Sequence, residues 1–225
     1  DLAVKQQLFA DLSRRLAPAA ILATNTSSLS IDAIGQLAAR RERVVGMHFF
    51  NPVAQMPLVE VIAGSFTGEI AVRTAKAFAR RLGKTPVVVR DGPGFLVNRL
   101  LAFYSAEAMW LLDEGHRVEA IDRALVDWGM PMGPLRLADE VGLDVSAKVG
   151  RILHGAFPDR LLFPAWIERI AGDASRLGAK SGRGIYAYKK GREQEPDPAV
   201  YAVLGLAPAA ELAPPSAERL ILPMV

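Results

Sequence analysis

The hydrophobic and polar positions of the first 90 residues form short apolar runs that alternate with segments of helical periodicity. Apolar runs that are rich in β-branched and aromatic residues and bounded by turn formers predict buried strands, and the segments between them predict helices. The predicted elements are helices over 2–16, 31–39 and 67–82, and strands over 20–24, 44–50, 58–62 and 86–89. Such alternation is typical of an α/β layer.

The pattern changes after Arg90, where Asp91-Gly92-Pro93-Gly94 forms a compact turn, and it is then helical almost to Gly178. It predicts helices over 95–114, 118–128, 135–141 and 145–153, and a short strand over 185–188. Residues 190–215 are rich in Pro, Ala and Glu, which is typical of a linker, and Ser216 can cap a further helix. The sequence therefore predicts an α/β domain over 1–90, an all-α domain over 91–190, and a linker with the start of a second helical repeat over 191–225.

The composition excludes several classes of function. Hydrophobic residues make up 51% of the 225 positions and charged residues 23%, as in a folded globular protein. The net charge of +3 is spread along the chain without a basic stripe, which argues against a nucleic-acid partner. The absence of cysteine excludes disulfides, thiolate metal sites and cysteine nucleophiles. No apolar run approaches the ~18–20 residues of a membrane span and no signal-peptide pattern opens the chain, so a cytoplasmic location is expected.

Two of the predicted strands each carry one ionisable residue, His48 in 44–50 and Glu60 in 58–62. A buried imidazole and a buried carboxylate are costly unless they satisfy each other. If the strands lie side by side, Glu60 can hold one ring nitrogen of His48 and leave the other free to accept a proton, as in a histidine general base. Two other interpretations stay open: His48 as a satisfied core residue, and Glu60 in a structural ion pair with Arg43.

Several motifs follow one another in a characteristic order. They are Asn25-Thr26-Ser27-Ser28, His48-Phe49-Phe50-Asn51-Pro52, Leu58-Val59-Glu60-Val61, Gly92-Pro93-Gly94-Phe95-Leu96-Val97-Asn98-Arg99, Pro131-Met132-Gly133-Pro134 and Ser181-Gly182-Arg183-Gly184-Ile185-Tyr186. Together they resemble the L-3-hydroxyacyl-CoA dehydrogenase family over residues 1–190. The resemblance implies a Rossmann-like NAD-binding domain followed by a helical domain that dimerises. The linker and second-repeat start resemble the multifunctional fatty-acid oxidation α-subunits, in which the helical domain is duplicated.

The resemblance also implies catalytic roles. The family's catalytic histidine falls on His48, its partner carboxylate on Glu60, its substrate-side serine on Ser27 and its active-site asparagine on Asn98. The implied reaction is the NAD-dependent oxidation of a 3-hydroxyacyl-CoA to a 3-ketoacyl-CoA in fatty-acid β-oxidation. The implied partners are the acyl-CoA substrate, a second copy bound through the helical domain, and a hydratase domain and thiolase subunit.

For the cofactor, the resemblance implies NAD and places four residues near it. Lys5 falls where the family has a lysine close to the ribose, Asn25 and Asn51 flank the site, and Ser27 serves both substrate and cofactor. The family's first strand, Gly-x-Gly-x-x-Gly loop and acidic ribose ligand would lie before residue 1. Because Gly92-x-Gly94 introduces a helix and lacks the third glycine, it cannot replace that loop. We therefore expect a partial NAD-binding domain, and expect these 225 residues to be part of a longer protein and inactive alone.

Simpler interpretations accompany these assignments. Asn25 and Ser27 can be turn formers that bond their own backbone, Asn98 a helix-surface residue and Lys5 part of a charged face. No His, Asp or Glu spacing suggests a metal site. Two alternative functions also stay open. One is a related dehydrogenase acting on 3-hydroxy acids without CoA, and the other is a non-catalytic binding or dimerisation fragment. In the latter, the apolar helix residues Leu100, Leu101, Met109, Leu111 and Leu112 would pair two copies.

Overall fold

The structure is a computed structural model that describes residues 1–189, 192–207 and 213–224. Its contacts divide the chain into an N-terminal unit, Asp1–Asn98, and a C-terminal unit, Arg99–Val225. This boundary lies beyond the predicted one at Arg90, because residues 92–98 are held by the N-terminal unit. Phe95 is buried in its core, and the backbone N–H groups of Leu96 and Val97 bond to Glu60.

The N-terminal unit contains a four-stranded sheet in the order β1-β2-β3-β4, formed by Leu22–Thr24, Val44–Phe49, Leu58–Ala63 and Thr85–Arg90. The pairs β1–β2 and β3–β4 are parallel, whereas β2 and β3 are antiparallel. The helices of this unit are α1 (Leu2–Arg15), α2 (Ile31–Gly35) and α3 (Glu69–Arg81). The predicted α/β arrangement of this part is therefore confirmed, in the form of a mixed sheet.

The two faces of this sheet have separate cores, because successive side chains of a strand point to opposite faces. On one face, Val44 and Ile62 pack with residues of α1 and α2 and with Phe95. On the other, Val45, Met47, Val59 and Val61 pack on the small residues Ala71, Ala75 and Ala79 of α3. His48 and Glu60 belong to the first face, since they alternate with Met47 and Val61.

Two helices of the N-terminal unit differ from their predicted lengths. α2 ends at Gly35 and does not reach residue 39, because the backbone N–H of Ala39 bonds to Ser13 Oγ (2.8 Å) on α1. Thr67 does not cap α3, whose N-cap is Gly68. The Thr67 hydroxyl instead accepts from the Gly64 N–H (2.9 Å) and donates to the Val44 carbonyl (2.8 Å), so it fastens the preceding loop to β2.

The C-terminal unit is mainly helical, as predicted. Its elements are α4 (Val97–Asp113, which begins in the N-terminal unit), α5 (Val118–Trp128), α6 (Pro134–Val141), α7 (Leu143–Ala156), α8 (Trp166–Ala171), β5 (Tyr186–Lys189), β6 (Arg192–Pro196), α9 (Val200–Leu204) and α10 (Ala217–Ile221). The antiparallel pair β5–β6 adds a hairpin that the periodicity did not predict in full. The six-residue α8 is too short to give a periodic signal.

The predicted linker over 190–215 differs from the structure in part. Within the described residues it contains β6 and α9, and Val200 and Leu204 of α9 are buried in the main core of the C-terminal unit. Positions 190, 191 and 208–212 of that linker lie outside the described residues. The prediction of a separate linker from the Pro-rich composition is therefore wrong for α9. A few apolar residues, among them Val200 and Leu204, are sufficient to attach this segment to the core.

The helix residues considered for pairing two copies are largely occupied within the chain. Met109, Leu111 and Leu112 are buried in the core of the C-terminal unit, and Leu101 packs against that core. This corrects the expectation that these residues form a free dimerisation surface.

Across the described ranges, no helix has the length and apolar content that a membrane crossing requires.

Candidate active site

His48 and Glu60 form a direct pair at the centre of the N-terminal unit. β2 and β3 lie side by side with His48 opposite Glu60 in the antiparallel register, so both side chains project from the same face. His48 Nδ1 lies 2.7 Å from Glu60 Oε2, and the two side chains are only 8% and 1% exposed. Glu60 thus bonds to the histidine and does not use Arg43, the ion-pair partner that the sequence left open.

The second carboxylate oxygen of Glu60 is also occupied. Oε1 accepts hydrogen bonds from the backbone N–H groups of Leu96 and Val97, both at 3.0 Å. These amides stand at the start of α4, where helix N–H groups lack intrahelical partners. Burial alone would raise the pKa of Glu60, but the bonds from His48, Val97 and Leu96 outweigh it and hold that pKa below its ordinary value. The carboxylate is therefore ionised at neutral pH.

Two aromatic rings surround His48. The Phe50 ring centroid lies 4.4 Å from that of the imidazole at a tilt of 51°, and the Phe95 centroid lies at 6.0 Å and 57°. Because Glu60 is ionised, Nδ1 carries the hydrogen of the 2.7 Å bond, and in a neutral imidazole the lone pair is then on Nε2. In the described part of the chain, Nε2 has no hydrogen-bond partner. The ring is thus fixed in orientation and able to accept a proton at one atom.

Ser27 and Asn98 are brought together across the N-terminal unit. Asn98 Nδ2 donates to the Ser27 carbonyl oxygen at 3.0 Å. The Ser27 side chain is exposed and its turn is organised by its neighbour Thr26, whose buried hydroxyl accepts from the Leu29 N–H at 3.0 Å. Asn98 is the next residue in the sequence after Leu96 and Val97, whose amides bind Glu60. The serine turn and the His48–Glu60 pair are therefore linked through the start of α4.

Two polar residues expected near a cofactor, Lys5 and Asn25, meet at the end of β1. The Lys5 ammonium donates to Thr24 Oγ1 and to the Asn25 carbonyl, both at 2.9 Å, and so joins α1 to the end of β1. Asn25 Oδ1 accepts from the Phe49 N–H at 3.4 Å, next to His48. Since β1 and β2 are parallel, their carboxyl ends lie at one edge of the sheet, the edge where α/β sheets bind ligands.

Asn51 is less closely integrated. It is exposed in the turn between β2 and β3, where it precedes a cis bond to Pro52. The described residues provide it with no hydrogen-bond partner, so its position follows from its strand neighbours alone. Nor does the described part of the chain bring three or more His, Asp or Glu side chains into a group that could hold a metal ion.

Some participants were not singled out from the sequence. The rings of Phe50 and Phe95 and the amides of Leu96 and Val97 complete the surroundings of the pair, and Thr24 holds Lys5. The phenylalanines stood within the quoted motifs, so their aromatic character was a usable signal. The amides gave none, because a backbone N–H is present at almost every position and only the fold aims it.

Comparison with known proteins identifies related chains over nearly the whole length. Residues 1–92 match the family model described as 3-hydroxyacyl-CoA dehydrogenase, NAD binding domain, and residues 94–188 match that of the C-terminal domain. The fatty acid oxidation complex subunit alpha of Shewanella baltica is 46% identical over 228 residues, which is 100% of this chain and 32% of the relative. The chain thus spans about a third of the length of the curated relatives it matches.

Two solved structures extend the similarity to three dimensions. The 3-hydroxybutyryl-CoA dehydrogenase of Escherichia coli has a TM-score of 0.80 at 41% identity, covering 86% of this chain and 42% of its own. The (S)-3-hydroxybutyryl-CoA dehydrogenase of Ralstonia eutropha has a TM-score of 0.78 at 38% identity, covering 84% of this chain and 67% of its own. At these identities the similarity extends beyond the fold to the family.

Proposed function

Because the chain belongs to the 3-hydroxyacyl-CoA dehydrogenase family, we propose that it carries the proton-transfer site of an enzyme that oxidises 3-hydroxyacyl-CoA to 3-ketoacyl-CoA with NAD. The observation that carries this proposal is the buried His48–Glu60 pair with one imidazole nitrogen unbonded. Its place would be in fatty-acid oxidation, as the names of the relatives suggest.

In this proposal His48 is the general base. Nε2 takes the proton of the substrate's C3 hydroxyl, and in the reverse direction it returns a proton to the developing alkoxide. Glu60 holds the Nδ1–H tautomer and stabilises the imidazolium that forms, the role of the carboxylate in other His–carboxylate pairs. NAD, when bound, accepts the hydride that leaves C3. The base must be mostly neutral near pH 7 to begin, which an imidazole can be.

Ser27 and Asn98 are proposed to bind the substrate oxygens. The exposed Ser27 hydroxyl can donate to the C3 oxygen or the thioester carbonyl. Asn98 gives one amide hydrogen to the Ser27 carbonyl and retains a second for a ligand. The Asn98 amide is held by this bond before substrate arrives, so little reorganisation of that group is required.

The residues present fit one part of NAD and not another. Lys5, Asn25, Ser27 and Asn51 provide polar groups at the carboxyl edge of β1 and β2, suited to a ribose and its neighbouring amide. The 225 residues contain no Gly-x-Gly-x-x-Gly sequence, so they offer no backbone cradle of that kind for the pyrophosphate. We therefore propose that the cofactor is held only in the full-length protein that carries these residues.

The proposal extends to assembly. The relatives are named as alpha subunits of a complex, which supports partner domains or subunits for the full-length protein. A hydratase domain, a thiolase subunit and self-association through the helical unit belong to this proposal. Copurification and sedimentation of the full-length protein would test them, and a lone monomer without associated chains would contradict them.

The decisive experiment is turnover by His48→Ala in the full-length protein. We expect acetoacetyl-CoA-dependent oxidation of NADH to fall to background, because the variant lacks the imidazole that is proposed to give a proton to the developing alkoxide in this direction. His154→Gln is the matched control, since His154 bonds the Leu161 carbonyl within the C-terminal unit and should leave the rate unchanged. Circular dichroism checks the fold of both variants. Unchanged turnover by His48→Ala would remove the assignment.

The same assay separates the remaining alternatives. A preference for acetoacetate over acetoacetyl-CoA would favour a dehydrogenase of free 3-hydroxy acids. Absence of turnover with either substrate, together with no heat of NADH binding, would favour the non-catalytic binding module.

A further inference from the structure

The backbone immediately before α4 has an unusual conformation. Gly94 has φ +70° and Phe95 has φ +49°, the only non-glycine residue with positive φ among the described residues. A left-handed conformation is strained for a phenylalanine, so it persists only where its surroundings hold it. We refer to these two residues as the Gly94–Phe95 turn. Phe95 is 3% exposed and packs in the core beside Ile31 and Ile62, which anchors the turn to the sheet.

The consequence of this turn is where it aims the next two amides. Leu96 and Val97 both donate to Glu60 Oε1 at 3.0 Å, while Oε2 is left to His48 at 2.7 Å. In an extended strand successive N–H groups point to opposite sides, whereas the first N–H groups of a helix point the same way, out of its N-terminus, and lack partners within the helix. The Gly94–Phe95 turn places the start of α4 so that both N–H groups meet Glu60 Oε1, an arrangement suited to an anion.

Building on the proposed function, we propose that the Gly94–Phe95 turn is a positioning element that sets the basicity of the His48–Glu60 pair. The amides of Leu96 and Val97, which follow the turn, withdraw charge from Glu60 and leave only Oε2 for His48. They thereby limit how strongly Glu60 favours the protonated imidazole. The amides of Leu96 and Val97 touch no reacting atom and act through Glu60.

After His48, the two amides are the groups that lower the pKa of Glu60 most. On β2 the opposing residue is His48, and on β4 the residue in register is the apolar Val87. α3 packs on the opposite face of β3 through alanines. Among the described residues, His48 and the amides of Val97 and Leu96 are the groups that lower the pKa of Glu60 against the effect of burial. Removing one amide should therefore have a measurable effect.

Proline at Val97 removes the amide with little other change. Val97 is the first residue of α4, a position where helices accept proline because its N–H is not needed within the helix. Val97→Ala is the matched control, because it removes the side chain and keeps the N–H. Glu69→Pro, at the first position of α3, controls for proline at a helix start.

We expect Val97→Pro in the full-length protein to differ from Val97→Ala in its pH profile. With one donor lost, Glu60 keeps more negative charge for His48, so the protonated pair persists to higher pH. The acid limb of kcat/KM should move up by about half a unit, which lowers kcat/KM about 3-fold on the acid side and leaves the plateau at higher pH unchanged. Glu69→Pro should retain the acid limb of the unmodified protein. A purely structural role would lower activity equally at all pH values.

A second measurement is independent of turnover. The ring resonance of His48, assigned by its loss in His48→Gln, can be titrated by NMR with histidine-selective labelling. Its titration midpoint should be higher in Val97→Pro than in Val97→Ala. Coincident titrations and coincident acid limbs would overturn the inference. If no variant turns over acetoacetyl-CoA, the proposed function fails, and the NMR titration still decides the role of the turn.

Discussion

At the scale of residues, two buried carboxylates show how partners decide the charge of a group. Glu60 and Asp139 are each 0% exposed, and each accepts two backbone amides. Glu60 also bonds to His48, and the pKa of Glu60 is lowered despite burial. Asp139 has no cationic partner in the described residues, and burial, with the nearby charge of Asp122, raises its pKa to about 6. Two carboxylates with equal burial and the same number of amide donors therefore have pKa values shifted in opposite directions, according to their other partners.

The exchange of Glu60 for glutamine tests its orienting role. Glu60→Gln keeps the size of the side chain but removes the charge that bonds to His48 Nδ1 and is proposed to stabilise the imidazolium. We expect kcat of the full-length protein to fall about 10²- to 10⁴-fold with little change in the KM for acetoacetyl-CoA. Steady-state kinetics measures both. A rise in KM at constant kcat would indicate substrate binding instead of proton transfer.

Asp139 predicts a pH-dependent stability in the C-terminal unit. Its folded pKa of about 6 lies above the ordinary 3.8, so its contribution is complete below about 3.8 and is lost as the pH rises through about 6. The amides of Ile185 and Tyr186, which donate to Asp139 at 2.9 and 2.8 Å, report on this locally. Their opening free energy should fall by about 1 kcal/mol between pH 5 and 7.

Hydrogen exchange, corrected for the intrinsic effect of pH, measures this free energy. In Asp139→Asn the amides should lose that pH dependence, because the side chain no longer titrates. Parallel slopes in the two proteins would show that another group is responsible.

At the scale of elements, the strand register brings His48 and Glu60 together, and a glycine on the same face of β2 allows α2 to pack on the sheet. Gly46 lies on the same face of β2 as His48. A Cβ at this position would lie 2.7 Å from Ile31 Cδ1 and 2.8 Å from Ile62 Cβ. α2 can therefore approach the sheet only because position 46 lacks a side chain. The fold therefore depends both on the strand register and on the missing side chain at position 46.

Gly46→Ala is accordingly expected to lower the free energy of unfolding by about 1–3 kcal/mol, the usual cost of overpacking. Gly155→Ala is the control, because it lies in α7 with no atom within 4 Å of its added Cβ. That change should be neutral or stabilising by up to about 1 kcal/mol, since alanine favours helix more than glycine does. Urea denaturation compares the two. If the two variants had equal free energies of unfolding, the sheet around position 46 would have shifted to accommodate the added methyl group.

At the scale of the whole molecule, the chain after β5 belongs to the C-terminal unit. Val200, Leu204 and Leu220 are buried with Tyr104 and the residues of α5 in one core. Arg219 on α10 adds ion pairs to Glu107 at 2.6 Å and to Glu114 at 2.6 Å, with its own side chain 41% exposed. Since exposed ion pairs contribute little, the buried leucine should dominate the attachment of α10.

Leu220→Ala should therefore destabilise the C-terminal unit by about 2–4 kcal/mol, and Arg219→Ala by less than about 1 kcal/mol. Leu222→Ala, at a leucine that is 70% exposed, should have almost no effect. Hydrogen exchange across α4 and α5 measures the loss. If Arg219→Ala proved the more damaging change, the electrostatic attachment would be the stronger one.

The sequence by itself determined the order and type of most elements, because hydrophobic periodicity, caps and glycine stops act locally. It also gave the ionisable residues His48 and Glu60 within apolar strands and the motifs that indicate the family. The boundaries of α2 and α3 were less well determined, since Ser13 and Thr67 form their hydrogen bonds with distant segments.

Only the tertiary structure decided how these residues act together. It set the antiparallel register that places His48 opposite Glu60, and it aimed the amides of Leu96 and Val97 at the second carboxylate oxygen. It also buried α9 within a segment that composition assigned to a linker. The reason is common to all three: register, the direction of a backbone N–H and the burial of isolated apolar residues depend on partners far along the chain. Local sequence patterns carry no information about those partners.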